Sequence, residues 1–265
     1  MMKIWSDAWV QIVSGVFVAL LLLGCSGGEE GDSGKEPDQE TTSKRKAWDS
    51  ALGTATVSGT VSFHGKPVPS RPVNLSKDAQ CAKQHPDGLR DNSLVLNSDN
   101  TIQEVFVWIE KGLEGWKFPV PKEPVILSQL GCMYSPHVLG VMAKQPIQIR
   151  NDDSAVHNVH CLAKRSSKFN ISQQTGATDT KTFKRPEVMV NLICDIHPWM
   201  SAHLGVLSHP AFSVTNDKGA FRITNLPPGK YTIAAWQDRY GIQKKEITVG
   251  DGESLTVDFT YPSAP

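Results

Sequence analysis

The chain lacks net charge: across 265 residues, 27 lysines and arginines are matched by 27 aspartates and glutamates. No basic stripe is available for nucleic acid, and none is expected as a partner. It also lacks an apolar run of confident spanning length, since the most apolar stretch, residues 10–23, falls short of the roughly 20 residues a membrane helix needs. Long amphipathic periods are missing too, which excludes a helical bundle; only Asp78 to Leu89 offers a short helix. Cysteine is scarce, five in all, too few for a disulfide scaffold. Residues 25–55 contain almost no large apolar side chain before Trp48 and read as a flexible tether, because such a stretch cannot bury enough surface to fold.

What is present from residue 56 onward is strand-like. Thr56 to Phe63, Glu104 to Ile109, Pro146 to Arg150, Val188 to Ile193 and Tyr231 to Trp236 are short, rich in β-branched and aromatic residues, and bounded by turn formers. Regular short strands of this kind predict an all-β chain built as β-sandwiches.

Chemistry concentrates in two segments. Ile193-Cys194-Asp195-Ile196-His197-Pro198-Trp199-Met200 supplies a thiolate, an imidazole and a thioether, and Asn151-Asp152-Asp153-Ser154-Ala155-Val156-His157-Asn158 supplies a second imidazole. Each residue taken singly is ordinarily a core or surface residue. Their joint occurrence asks for a soft metal, and two histidines and a cysteine with a weak axial methionine form the ligand set of a blue copper centre. Zinc is the competing ion, although its sites seldom use methionine.

These segments resemble the cupredoxins of the amicyanin and plastocyanin branch, the compact Cys-x-x-His-x-x-Met spacing favouring amicyanin. Pro136 to Met142 and Gln145 to Asn151 extend the resemblance, which runs from about Val125 to Val206. It implies a Greek-key β-sandwich holding one type 1 copper ion through His157, Cys194, His197 and Met200. It further implies that Asn158 ties the two ligand loops together through a backbone amide on the Cys194 sulfur. His197 is expected to reach the surface through an apolar patch including Pro198 and Trp199, the electron's exit. His160 lies on the strand face opposite His157 by alternation and is expected to face solvent.

Residues 10–23 end in Leu22-Leu23-Gly24-Cys25, which resembles the bacterial lipobox. The resemblance implies a signal peptide over residues 1–24 and a lipid on Cys25; an uncleaved signal anchor is the alternative, since Lys3 is the sole positive charge before the apolar run. The expected location is the periplasmic side of the cell envelope. Ser26, rather than Asp, after the cysteine leans toward the outer membrane if the host has two.

Toward the C-terminus, Gly219-Ala-Phe221 and Leu226-Pro-Pro-Gly229-Lys-Tyr231 resemble the carboxypeptidase regulatory-like (transthyretin-like) sandwich, whose opening strand is matched by Val57-Ser-Gly-Thr-Val61 and Gly65-Lys-Pro-Val68. The expected organisation is one such smaller sandwich, residues 56–76 and 210–262, interrupted by a cupredoxin domain at 77–209. Scaffolding or docking follows from this; peptidase activity does not.

Three further thiols remain. Cys81 and Cys132 are each followed by a histidine, His85 and His137. A structural disulfide Cys81–Cys132 is the favoured reading outside the cytosol, and a closed second metal site of Cys81, His85, Cys132 and His137 is the alternative. Cys161 is expected to be a buried inert thiol. The function expected is a membrane-tethered electron carrier rather than an enzyme, exchanging single electrons with a redox protein such as a cytochrome or a membrane oxidoreductase. A non-catalytic copper-holding or partner-docking module is the alternative. The eight histidines do not supply the repeated pairs that a trinuclear copper centre of a multicopper oxidase needs.

Overall fold

The computed structural model describes residues 45–66, 69–76 and 78–262. The expected signal segment, Cys25 and the first part of the expected tether lie outside the described residues. The end of that tether is held rather than free: Lys46–Ala47 pairs with Trp116–Lys117, and the Trp48 ring packs 4.9 Å from that of Phe118 and 5.5 Å from that of Trp116. Strand pairing and the Trp48 ring together dock the segment.

Four β-sheets form two sandwiches. In the first, one sheet runs Ala220–Leu226, Ala55–His64 and Ser254–Thr256, with Phe259–Pro262 continuing along Ala55–His64. The other runs Phe212–Val214, Phe106–Lys111, Gly229–Gln237 and Gly241–Val249. Val57, Val61, Val107, Ile109, Phe221 and Ile233 fill the space between them. In the second sandwich, Val138–Met142, Ser201–Leu207, Glu187–Ile193, His157–Cys161 and Phe169–Gln173 form one sheet. Met133–Ser135, Val125–Leu130, Pro146–Asn151 and Thr178–Thr182 form the other. Leu127, Ile147, Ile149, Val159, Leu192 and Leu204 make this core.

The boundary expected at residue 77 is therefore displaced. Phe106–Lys111, expected inside the inserted domain, pairs on both sides with strands of the discontinuous sandwich. Its run is buried on both faces: Val105, Val107 and Ile109 enter one core, whereas Phe106 and Trp108 enter another. A strand buried on both sides loses the polar alternation that marks an ordinary sandwich strand. The inserted sandwich starts near Val125, and residues 95–118 belong with the discontinuous one.

Phe106 and Trp108 face Val138 and Leu207 of the inserted sandwich, so the two sandwiches share an apolar seam. Gly140 and Gly205 are register partners there. A Cβ on Gly205 would meet the Phe106 ring at 2.2 Å, and one on Gly140 would meet Phe212 at 2.3 Å. Both positions need glycine because aromatic rings lie directly on the backbone.

Candidate metal centre

Strand alternation and a short loop build the site. Along His157–Cys161, the side chains of His157, Val159 and Cys161 are buried, while His160 is half-exposed and pairs with Asp195 at 3.0 Å. Ile193 and Ser201 are register partners, so residues 194–200 form the whole connection between two adjacent strands. Within it the Cys194 amide donates to the Met200 carbonyl at 3.0 Å and the Met200 amide to the His197 carbonyl at 2.9 Å. Cys194, His197 and Met200 are thereby turned inward, with exposures of 2%, 1% and 0%.

His157, Cys194 and His197 bring one donor atom each within 4.8 Å of one another. The Nδ1 atoms of His157 and His197 are 2.9 Å apart, and the Cys194 sulfur lies 3.7 Å from His197 Nδ1. Both rings are held from behind by carboxylates: His157 Nε2 by Asp153 at 3.0 Å, and His197 Nε2 by Asp78 at 3.0 Å. A carboxylate accepts, so each ring carries its proton on Nε2 and presents a bare Nδ1 lone pair. Two ring nitrogens facing each other beside a thiol, all buried, form a donor set that a cation can fill. This donor set fits a soft metal ion.

Burial pushes the His157 pKa below its ordinary value, against the bond from Asp153, and keeps that ring neutral. Burial raises Asp153, but bonds from His157, the Cys132 amide, Gln84 and the Ser154 amide outweigh it and keep the carboxyl ionised. The bond from His197 lowers Asp78. Tyr134 braces both ligand segments, its hydroxyl donating to the Asn158 carbonyl at 2.6 Å and the Ile193 carbonyl at 3.2 Å.

Two expectations about the surroundings need correction. Asn158 does tie the loops together, but through its side chain: Oδ1 accepts from the Asp195 amide at 2.8 Å and the Cys194 thiol at 3.3 Å. His197 does not reach the surface. It is roofed by the short helix Ala79–Gln84, whose N-cap Asp78 uses Oδ1 to accept the amides of Gln80 and Cys81 and Oδ2 to hold His197. Ile196 and Pro198 are exposed and Trp199 half-buried around it, with the Trp199 ring 5.1 Å from that of His197.

Cys81 and Cys132 are joined in a disulfide, whose Cys81 sulfur lies 3.6 Å from His197 Nε2. The alternative four-residue metal site does not assemble. Its two thiols are consumed in the bond, His85 Nε2 lies on the Gly131 carbonyl at 2.7 Å, and His137 faces elsewhere. Cys132 occupies the second place of a two-residue hairpin turn after Gly131, both at positive φ, 54° and 63°, a turn that suits paired strands. Cys161 is buried and unpaired, and burial raises its thiol pKa.

The model of the carboxypeptidase regulatory-like domain family matches residues 202–262. Among solved structures, the chain is similar to a copper-containing nitrite reductase from Thermus scotoductus, 22% identical at a TM-score of 0.30, over 32% of this chain and 22% of that one. It thus spans about a fifth of that enzyme's length. A purple cupredoxin from Nitrosopumilus maritimus is 22% identical at 0.28, over 31% of this chain and 98% of that one. A Cu(I) form of an amicyanin mutant is 20% identical at 0.29, over 33% and 85% respectively. Comparison with curated proteins found no match.

Two carboxylates were not singled out by the sequence. Asp153 stands four residues before His157 within the quoted segment, where a partner for a histidine could have been sought. Asp78 carries no local signal, since it is 119 residues from the ring it holds.

Proposed function

We propose that the chain is a type 1 copper protein that carries single electrons between redox partners in the cell envelope, held at the membrane through lipid on Cys25. The observation that carries the reading is the convergence of two Nδ1 atoms and one thiol in a buried pocket, with Met200 fully buried in the same loop. His157, Cys194, His197 and Met200 would hold the ion. When bound, copper supplies a one-electron couple between Cu(I) and Cu(II).

The surrounding residues keep the ligands where they are. Asp153 and Asp78 fix the ring tautomers, Asn158 and Tyr134 lock the two ligand segments to each other, and the disulfide staples the helix over His197. A pocket that needs no rearrangement between charge states suits fast electron exchange. Its ligands are too deeply buried to admit a substrate, so no reaction of its own is proposed. The half-buried Trp199 ring beside His197, flanked by exposed Ile196 and Pro198, is the route by which an electron reaches a partner such as a cytochrome or a membrane oxidoreductase.

A copper-delivery role is the competing reading, and the stapled helix weighs against it because release would require that cover to open. The test is mixing the reduced full chain with an oxidised c-type cytochrome, and separately with a copper-free acceptor protein. Rapid one-electron exchange with copper retained supports the carrier. Copper lost to the acceptor without electron exchange contradicts it.

A further inference from the structure

Outside the buried centre, a second group of metal-capable side chains comes together at the seam between the sandwiches. His137 leads into strand Val138–Met142, His203 lies on Ser201–Leu207, and Asp238 sits in the turn between Gly229–Gln237 and Gly241–Val249. The first two belong to the inserted sandwich and the third to the discontinuous one. Their donor atoms lie within 4.8 Å of one another. His137 Nε2 is 3.3 Å from Asp238 Oδ2, and His203 Nε2 is 3.2 Å from Asp238 Oδ1.

The hydrogen bond behind His137 sets which of its nitrogens is free. His137 Nδ1 lies 2.9 Å from the Ser201 carbonyl, an acceptor only, so Nδ1 carries the proton and the neutral ring presents a bare Nε2 toward Asp238. That nitrogen belongs to a side chain only 2% exposed, with the Asp238 carboxylate directly before it. The His203 ring is held 4.7 Å from Trp236 and 5.1 Å from the His137 ring. The His203 amide donates to the His137 carbonyl at 2.7 Å. Both imidazoles are therefore fixed before any ligand arrives. Glu104, whose carboxylate accepts from the His137 amide at 3.3 Å, adds negative charge nearby.

Asp238 is 23% exposed on its side chain and, with Ser201, lines an open cleft of about 930 Å³ that also includes Trp199 and Arg239. Asp238 is the member of the trio that reaches this cleft, so an ion would arrive past its carboxylate.

We propose that His137, His203 and Asp238 form a second metal site, for a divalent ion of the zinc class, which pins the discontinuous sandwich to the inserted one. Two imidazoles and one carboxylate, with no sulfur, match zinc and its cobalt substitute rather than the soft-metal set of the buried centre. The ion binds three donors from two sandwiches and so opposes their separation.

The probe is Co(II) or Zn(II) with the full chain, in a His157→Ala/Cys194→Ser background that removes two ligands of the buried centre. One equivalent of Co(II) should bind with visible ligand-field bands and no sulfur charge-transfer band, and Zn(II) should raise the thermal midpoint. Adding His203→Gln, which keeps a hydrogen-bonding side chain against Asp238, should abolish both effects, as should Asp238→Asn. Far-UV circular dichroism identifies any variant that has not folded. In the unaltered chain loaded with a single equivalent of copper, equilibrium dialysis should find one equivalent of zinc in addition to copper, and none extra with His203→Gln. Failure of the first background to bind Co(II), or binding that survives His203→Gln, overturns the proposal. Loss of the copper spectrum alone, with the Co(II) equivalent intact, bears only on the buried centre.

Discussion

At the residue scale, the centre depends on where protons sit on two rings. Asp153→Asn leaves the ring of His157 nearly in place but lets the carboxamide present either a donor or an acceptor to Nε2, so the tautomer is no longer fixed. Loss of such a partner typically weakens metal binding 10- to 100-fold, and competition with a chelator of known affinity should show a loss of about that size. Met200→Leu should keep the colour and shift the reduction potential, whereas His157→Ala should abolish the colour; equal loss in both would contradict the ligand roles. Elsewhere, His209 is 8% exposed and its Nδ1 lacks a partner. Burial pushes its pKa from 6.5 down to about 4. The unfolded chain protonates this ring below 6.5 and the folded chain only below about 4, so acid favours unfolding across that window and stability returns as pH rises through it. Relative to His209→Gln, the unaltered chain should lose about 2–3 kcal/mol between pH 7.5 and 4.5 in urea unfolding, at 1.36 kcal/mol per unit. The grouping of His157, Cys194 and His197, whose donor atoms lie within 4.8 Å of one another, was legible because they lie in two short segments with distinctive spacing; Met200 was read from the same spacing. His203 and Asp238 were not, because a lone histidine in an apolar strand and a lone aspartate in a turn carry no pattern.

At the scale of elements, the helix Ala79–Gln84 does two jobs: its N-cap carboxylate holds His197, and its Cys81 is stapled to the hairpin turn at Cys132. The bond closes a sequence separation of 51 residues, which in a chain-entropy estimate stabilises the fold by about 4 kcal/mol, with measured cases commonly nearer 2–4. Cys81→Ala/Cys132→Ala should lower the unfolding free energy by about that amount. It should also speed the bleaching of the copper-loaded chain by a chelator, because the cover over His197 is released; an unchanged bleaching rate would contradict the covering role. The short helix, the disulfide pair and most strands could be read from β-branched runs, turn formers and cysteine arithmetic. The burial of His197 could not, because the helix that covers it is supplied by a segment far away in sequence, through a contact that leaves no periodic trace.

At the scale of the whole molecule, two sandwiches share a seam at which strand Phe106–Lys111 is buried on both faces. Gly205→Ala would drive a Cβ into the Phe106 ring, whose nearest atom is 2.2 Å from that position, and overpacking of this kind costs about 1–3 kcal/mol. Urea unfolding should show the loss, and zinc-class binding at His137, His203 and Asp238 should weaken with it, because the seam sets their spacing. All-β architecture was legible in the alternation of short runs. The domain boundary was not: a strand apolar on both faces gives no sign of which sheet it joins, so nothing local marks residues 95–118 as part of the discontinuous sandwich.

The most direct measurement of the central claim is the visible absorption and EPR spectrum of the full chain loaded with Cu(II), with Cys194→Ser beside it. An intense thiolate-to-copper band with narrow hyperfine splitting, absent from the variant, is the expected result. A colourless protein, or colour that survives Cys194→Ser, would contradict a type 1 centre at His157, Cys194, His197 and Met200.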